Sequence, residues 1–304
     1  MIEKLRKIIP IAGLLILFII FSVTTGGLFL RWNNLQNLIL QSAITMVAAV
    51  GTAFVMAHNN LDFSLGGACA LSCVLSYLIV GNNLVLFFIL CIVFGVICGL
   101  FSAVLHVKGE VPAFIAGMCL MFAGRGLAQS VAASNTMMLT QAAQLNNMWF
   151  FIVVLVVVVV IGYILFNYTK IGKYQKLIGT NPKAAQLSGI SVGKYKTIAF
   201  IISGVTIGLA SCLTVIRSPS IVGSTGTNLE TNVLLALSLG GMSMTGGSAS
   251  RMRSAVIGTL IFFILNNGLT LWGLDPNYVD IVKAIFFLFT VTISIDRSQY
   301  EVIT

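Results

Sequence analysis

The chain has 304 residues, of which 58% are hydrophobic and only 8% are charged, and its mean hydropathy is +1.03. Because a soluble domain carries about 25% charged residues, this composition excludes an ordinary water-soluble protein and predicts an all-α polytopic membrane protein. The net charge of +9 does not indicate nucleic-acid binding, since the basic residues cluster in short loops beside apolar segments.

Ten apolar segments follow one another along the chain, and a helix needs about 20 such residues to cross a bilayer. The first segment could be a cleaved signal peptide, but no convincing small-x-small cleavage site follows it, which favours a retained span. Two segments, 66–80 and 231–244, are short and adjoin Gly-rich or polar turns, as interrupted helices do. The predicted spans are residues 8–23, 38–56, 66–80, 84–105, 111–132, 148–166, 197–215, 231–244, 255–272 and 279–295.

The distribution of basic residues predicts the orientation of these spans. If the N-terminus lies in the cytoplasm and the spans alternate, thirteen Lys and Arg residues fall inside and only two, Arg31 and Arg217, fall outside. Basic residues concentrate in cytoplasmic loops of membrane proteins. We therefore predict that both termini are cytoplasmic, including residues 296–304.

The longest hydrophilic connection, residues 167–196, carries six lysines and no Asp or Glu. Within it Asn181 suits a helix N-cap, Pro182 suits the first helical position, and Gly189 can end the helix in a left-handed conformation. The loop therefore predicts a capped helix of about two turns on the cytoplasmic side. Geometry alone leaves open whether this helix enters a groove on another protein or only links two spans.

Polar residues in or beside the spans are candidates for a translocation path, because ionisable groups at membrane depth are usually functional. Asp62 and Arg125 could instead pair or cap helices, and Asn266 and Asn267 could instead form hydrogen bonds between helices. The full candidate set is Gln41, Asp62, Ser64, Arg125, Gln129, Glu230, Asn232, Asn266 and Asn267.

No residue pattern in the sequence indicates catalysis or a metal site. The six cysteines lie in apolar segments without a C-x-x-C pair, and packing explains them best. His58 and His106 lie at predicted cytoplasmic ends of spans, and we interpret each as a solvated interfacial histidine. Since no Ser/His/Asp order and no paired carboxylates occur, the sequence does not predict an enzyme.

Four stretches of the sequence match, in order and in spacing, the motifs of one protein family. Residues 178–190 read I-G-T-N-P-K-A-A-Q-L-S-G-I and resemble A-I-G-G-N-x-x-A-A-x-L-S-G-I. Residues 61–66, L-D-F-S-L-G, resemble I-D-L-S-V-G, with Leu61 and Leu65 as departures from it. The remaining two stretches resemble P-x-F-I … R-G-L-A (residues 112–128) and L-G-G-x-S-x-x-G-G … N-N-G-L (residues 239–269). In these four motifs together the chain resembles the permease subunits of ribose-type sugar ABC importers.

This resemblance implies one transmembrane permease domain over residues 1–304, with residues 167–196 as its cytoplasmic coupling loop. It implies several partners: an ABC ATPase subunit, an extracytoplasmic solute-binding protein, and a second permease copy or paralogue that completes a dimer. The host compartment would be the bacterial inner membrane, and the cargo a small polar solute such as ribose. The coupling residues implied are Asn181, Pro182, Ala184, Ala185, Leu187 and Gly189.

No G-x-x-x-x-G-K-[ST] occurs, so the chain has no phosphate-cradling loop and no cofactor of its own. ATP-Mg would be bound by the partner ATPase. We expect Ala185→Trp to block uptake while leaving the protein folded. The alternative is an ion-coupled secondary transporter, which would need acidic residues deep in several spans; this chain has few, mainly Asp62 and Asp280.

Overall fold

A computed structural model of the chain describes residues 2–133 and 137–294. The end of the last predicted span, Ile295, and the predicted cytoplasmic C-terminal segment 296–304 lie outside the described residues. The helices of the described part are α1 (Ile2–Thr24), α2 (Trp32–Ala57), α3 (Leu65–Val80), α4 (Leu84–Val107), α5 (Ala113–Ala133), α6 (Met148–Tyr168), α7 (Lys170–Thr180), α8 (Pro182–Leu187), α9 (Val192–Arg217), α10 (Leu229–Leu239), α11 (Arg253–Leu271) and α12 (Pro276–Ser294).

The chain is an all-α protein with several membrane spans, and each predicted span overlaps one helix. In the described part, α2, α4, α5, α6, α9 and α11 are long and apolar enough to cross a bilayer on their own. The predicted span 231–244 is wrong at its C-terminal end, because α10 stops at Leu239. Gly240 and Gly241 follow, and Gly241 has a φ of +79°, which turns the chain out of the helix.

The helices divide into central and peripheral ones. In α2, 78% of the apolar span is buried within the chain, and in α9 67%, against 28% in α4 and 17% in α6. Helices α2 and α9 pack against each other, and α4 also packs against α9. Residues on α6 such as Val153 and Val160 are 60% and 50% exposed, so this helix presents its apolar surface to lipid.

Glycines bring α4 and α9 into close backbone contact. A Cβ added at Gly95 would lie 2.4 Å from the carbonyl oxygen of Gly204, and one added at Gly99 would lie 2.4 Å from that of Phe200. On α9, a Cβ added at Gly204 or at Gly208 would likewise lie 2.5 Å from a backbone atom of α4. Small residues at this spacing let helices approach in lipid, where hydrophobicity does not drive them together.

The packing of α2–α5 resembles that of α9–α12. Helix α3 packs on α9 as α10 packs on α2, and α4 packs on α9 as α11 packs on α2. Helix α3 also contacts α4 and α5, just as α10 contacts α11 and α12. This relation makes residues 58–64, which lead into α3, equivalent to residues 218–228, which lead into α10.

One short β-ribbon departs from the all-α prediction. Strand β1 (Met137–Met138) pairs antiparallel with β2 (Ser220–Ile221), and a 3₁₀-helix, Thr140–Leu145, follows β1. The ribbon joins the loop before α6 to the loop after α9. It is too short for a period-two pattern to reveal it in the sequence.

Candidate functional site

Helix α8 begins and ends at the residues that the sequence predicts. The side-chain oxygen of Asn181 accepts a hydrogen bond from the backbone N–H of Ala184 at 3.0 Å, and Pro182 occupies the first helical position. Gly189 has a φ of +80°, where a glycine avoids the strain that a side chain would cause. A short helix with both ends fixed in this way is a rigid element of the connection between α6 and α9.

Helix α8 has an exposed side and a buried side. The Leu187 side chain is 90% exposed, although it is a large apolar residue in a polar loop. Ala185, by contrast, is only 5% exposed and packs with Ile178 and Ile190. Ala185 therefore holds α8 against α7, and its part in coupling to an ATPase stays a prediction.

Helix α7, which the sequence did not predict as a separate element, connects α8 to the spans. A Cβ added at Gly179 would lie 2.1 Å from the Ala57 carbonyl oxygen, at the end of α2, and 2.6 Å from the Gly247 nitrogen. The side-chain amide of Gln175 donates to the Tyr195 carbonyl of α9 at 2.5 Å. A displacement of α7 would therefore move the C-terminal end of α2 and the N-terminal end of α9.

The two histidines lie close together beside this connection, which contradicts their interpretation as separate, solvated residues. His58 is 2% exposed, and the rings of His58 and His106 lie 5.9 and 6.0 Å from the ring of Phe200. The Lys196 ammonium lies 3.0 Å from His106 Nε2. His58 Nδ1 donates to the Phe54 carbonyl at 3.0 Å, and burial, followed by the nearby Lys196, lowers the pKa of His58 to about 3.

Asp62 and Ser64 are buried at the start of α3. Asp62 is 1% exposed, and its carboxylate accepts a hydrogen bond from the Ser64 backbone N–H at 2.9 Å. The Ser203 hydroxyl of α9 lies 3.5 Å from the other carboxylate oxygen. These contacts support the capping interpretation of Asp62, and a role of Asp62 or Ser64 in the translocation path stays a prediction.

Arg125 lies where the N-terminal turns of two short helices, α3 and α10, meet. Its guanidinium donates to the Thr227 hydroxyl at 2.7 Å and lies 3.6 Å from the carboxylate of Glu230. A Cβ added at Gly66 would lie 2.1 Å from Glu230 Oε2 and 2.5 Å from Arg125 Nη2. The ion pair therefore needs a glycine at the first turn of α3, a requirement that the sequence did not reveal.

Asn267 forms hydrogen bonds between helices instead of joining that cluster. Its side-chain amide and that of Asn34, at the start of α2, each donate to the other, at 2.8 and 2.9 Å. Asn34 also donates to the Phe29 carbonyl. Asn266, one residue earlier, is half-buried. The role of Asn266 and Asn267 in a translocation path stays a prediction.

Comparisons with known proteins show what the whole chain is similar to. The family model described as branched-chain amino acid transport system / permease component matches residues 34–291. The ribose import permease protein of Escherichia coli K12 is 31% identical over 92% of this chain and 91% of its own length. The corresponding protein of Bacillus subtilis 168 is 32% identical over 97% and 94%.

A more distant relative carries a different sugar in its name. The xylose transport system permease protein of Escherichia coli K12 is 24% identical over 95% of this chain and 91% of its own length. No solved structure matches the chain.

Proposed function

The chain belongs to the branched-chain amino acid transport system / permease component family, and we propose that it carries a monosaccharide of the ribose type through the cytoplasmic membrane. The observation that supports this solute is the similarity to ribose import permeases over more than nine-tenths of the chain. The chain is a permease subunit of a sugar ABC importer and a multi-pass protein of the bacterial inner membrane. Its family is a transporter component and not an enzyme.

We propose that α8 docks on the ATPase subunit that supplies the energy. The 90% exposed Leu187 supports this, since a large apolar side chain in a lysine-rich loop is stabilised when a partner covers it. Asn181, Pro182, Ala184 and Gly189 give the docking helix its shape, and Ala185 holds it to α7. The ATPase binds ATP-Mg, and its movement reaches α2 and α9 through Gly179 and Gln175.

We propose ten membrane crossings with both termini in the cytoplasm. The thirteen-to-two distribution of basic residues supports this orientation. Helices α3 and α10 are shorter than a bilayer is thick, which is acceptable where their N-terminal turns meet inside the protein. Residues 1–304 then form one permease domain, and residues 167–196 its coupling loop.

The pathway itself requires partners. An extracytoplasmic binding protein delivers the solute, and a second permease, either a copy or a paralogue, completes the pore. Among the candidate path residues we retain Arg125, because its side chain is 18% exposed and adjoins two half-helix ends. Asp62 acts in helix capping and Asn267 in helix packing.

Uptake of radiolabelled ribose tests the proposed solute. A bacterial test strain that lacks its own ribose permease expresses this chain together with an ABC ATPase and a solute-binding protein of a ribose importer. We expect uptake that is lost when the ATPase carries an inactive phosphate-binding loop, and that unlabelled ribose competes for. Uptake that persists without an active ATPase would favour the ion-coupled alternative, and competition by xylose but not by ribose would reassign the solute.

A further inference from the structure

A basic pocket of about 330 Å³ opens on the cytoplasmic side of the protein, away from α8. It lies between the C-terminal end of α6, the middle of α7 and the segment that leads into α11. Its volume falls at the lower end of the range for ligand pockets. The lining residues are Tyr163, Asn167, Lys176, Ser248, Ser250, Arg251, Met252 and Arg253.

The charge of this pocket favours an anion. Its lining contains Lys176, Arg251 and Arg253 and, among the described residues, no carboxylate. Arg253 is also the first residue of α11, where the helix dipole adds positive potential. Burial, and then the neighbouring Arg251, lower the pKa of the Lys176 ammonium, a cost that a bound anion would offset.

A buried hydroxyl provides independent support for a ligand. Ser250 is 1% exposed and belongs to the pocket lining, yet within the described part of the chain nothing forms a hydrogen bond with its Oγ. A buried hydroxyl without a partner is unfavourable by about 1–3 kcal/mol. A small movement of the Ser250 side chain toward the pocket would let this hydroxyl donate to a phosphate oxygen, which accepts hydrogen bonds.

The position of the pocket favours a lipid as the source of the phosphate. Helix α6 is the most lipid-exposed of the six long apolar helices of the described part, and Tyr163, on the pocket wall, is 46% exposed. Its ring packs edge-to-face on that of Tyr168, which is 69% exposed, with centroids 6.0 Å apart. Tyrosines at the end of a spanning helix lie at headgroup level.

We propose that this pocket binds the phosphate of an anionic phospholipid from the cytoplasmic leaflet. Lys176 and Arg253 provide the charge, Ser250 donates a hydrogen bond, and the acyl chains lie along the exposed face of α6. The bound lipid joins α6, α7 and the start of α11, and so stabilises the base of the coupling loop. Basic pockets between membrane helices recognise lipid headgroups by this chemistry.

Thermal unfolding of the full-length chain in neutral detergent tests the proposal. The titrants are phosphatidylglycerol, phosphatidylcholine and inorganic phosphate. We expect phosphatidylglycerol alone to raise the unfolding midpoint, with about tenfold weaker apparent affinity in Lys176→Gln and in Arg253→Gln. Lys176→Arg should keep the effect, and so should Lys173→Gln, which removes a charge from the exposed face of the same helix.

Three results would overturn the proposal. Equal stabilisation by inorganic phosphate would show that the pocket binds a soluble anion. An equal loss in Lys173→Gln and Lys176→Gln would show that lipid binding depends on overall charge only. Loss of the phosphatidylglycerol effect once the partner ATPase is bound would assign the pocket to an acidic side chain of that partner.

Discussion

At the scale of single residues, burial within the fold decides between roles that the sequence left open. Ala185 and Leu187 are two positions apart in one short helix, yet one is 5% and the other 90% exposed. The sequence identified α8 from its caps, because Asn181, Pro182 and Gly189 act locally. It could not identify the buried side of α8, since that side depends on contacts with α7 and α9.

Leu187→Glu should therefore impair ATPase binding, whereas Ala185→Trp should impair the stability of the chain itself. We expect Leu187→Glu to abolish ATPase binding and uptake without changing the unfolding midpoint, because its side chain touches little of the chain itself. Ala185→Trp should lower stability by about 1–3 kcal/mol, since Ala185 packs closely against Ile178 and Ile190 and an indole does not fit there. Co-purification with the ATPase and thermal unfolding distinguish the two variants. ATPase binding that survives Leu187→Glu would contradict the proposed docking surface.

His58 should make stability depend on pH. Its pKa is about 3 in the fold and about 6.5 in the unfolded chain, so below pH 6.5 only the unfolded chain takes up the proton. The free energy of unfolding should therefore fall on acidification, by up to about 2 kcal/mol between pH 7 and pH 5. Like burial, the neighbouring Lys196 and His106 lower the pKa of His58 in the fold.

The measurement is thermal unfolding of the wild type and of His58→Gln in the same detergent from pH 7 to pH 5. We expect a smaller loss in the variant, because glutamine does not titrate. Parallel curves for the two proteins would show that His58 does not take up a proton on unfolding.

At the scale of helices, small residues and polar pairs determine which spans touch. Gly95, Gly204 and Gly240 each face the backbone of a neighbouring helix, so these helices pack closely. The sequence did not predict that Arg125 pairs with Glu230, since 105 residues and several helices separate them in the chain. Short half-helices α3 and α10 were visible as short apolar segments, but their meeting point was not.

Gly204→Ala should destabilise the protein, whereas Gly126→Ala should not. A Cβ at Gly204 would lie 2.5 Å from the Gly95 carbonyl oxygen, so α4 and α9 would have to separate. Around Gly126, on α5, no atom of the described structure other than its chain neighbours and the adjacent helix backbone lies within 4 Å of an added Cβ, and alanine favours helix by about 1 kcal/mol. Unfolding midpoints measure both effects, and equal midpoints for the two variants would contradict the tight contact.

The Arg125–Glu230 pair should behave non-additively in a double-mutant cycle. Removing one partner leaves a mostly buried charge without its counterion, whereas removing both leaves none. We expect the double variant Arg125→Leu/Glu230→Leu to lose less stability than the sum of the losses in the two single variants. Unfolding of the four proteins gives the coupling energy, and strict additivity would show that the 3.6 Å contact contributes nothing.

At the scale of the whole molecule, the long apolar segments made the positions of the spans readable, because lipid forces backbone groups to pair within a helix. Helix α7 could not be predicted from the sequence, since its 11 residues are largely polar and the helix is held in place by packing on the Ala57 and Gly247 backbone. The similar packing of α2–α5 and α9–α12 could not be predicted for a related reason, because it appears in contacts between helices and not in a shared sequence. Orientation, by contrast, was inferred from charge alone.

Cysteines at the two ends of α9 test that orientation. Ser191 and Ser218 are exposed, flank the same helix and differ from cysteine by one atom, so Ser191→Cys and Ser218→Cys should leave the fold unchanged. A membrane-impermeant maleimide should label Ser218→Cys in intact cells, but Ser191→Cys only in inverted vesicles. The native chain sets the background, since Cys119 is exposed on α5. The reverse pattern would place α8 outside the cell, where no ATPase could bind it, and labelling of both variants from one side would exclude α9 as a span.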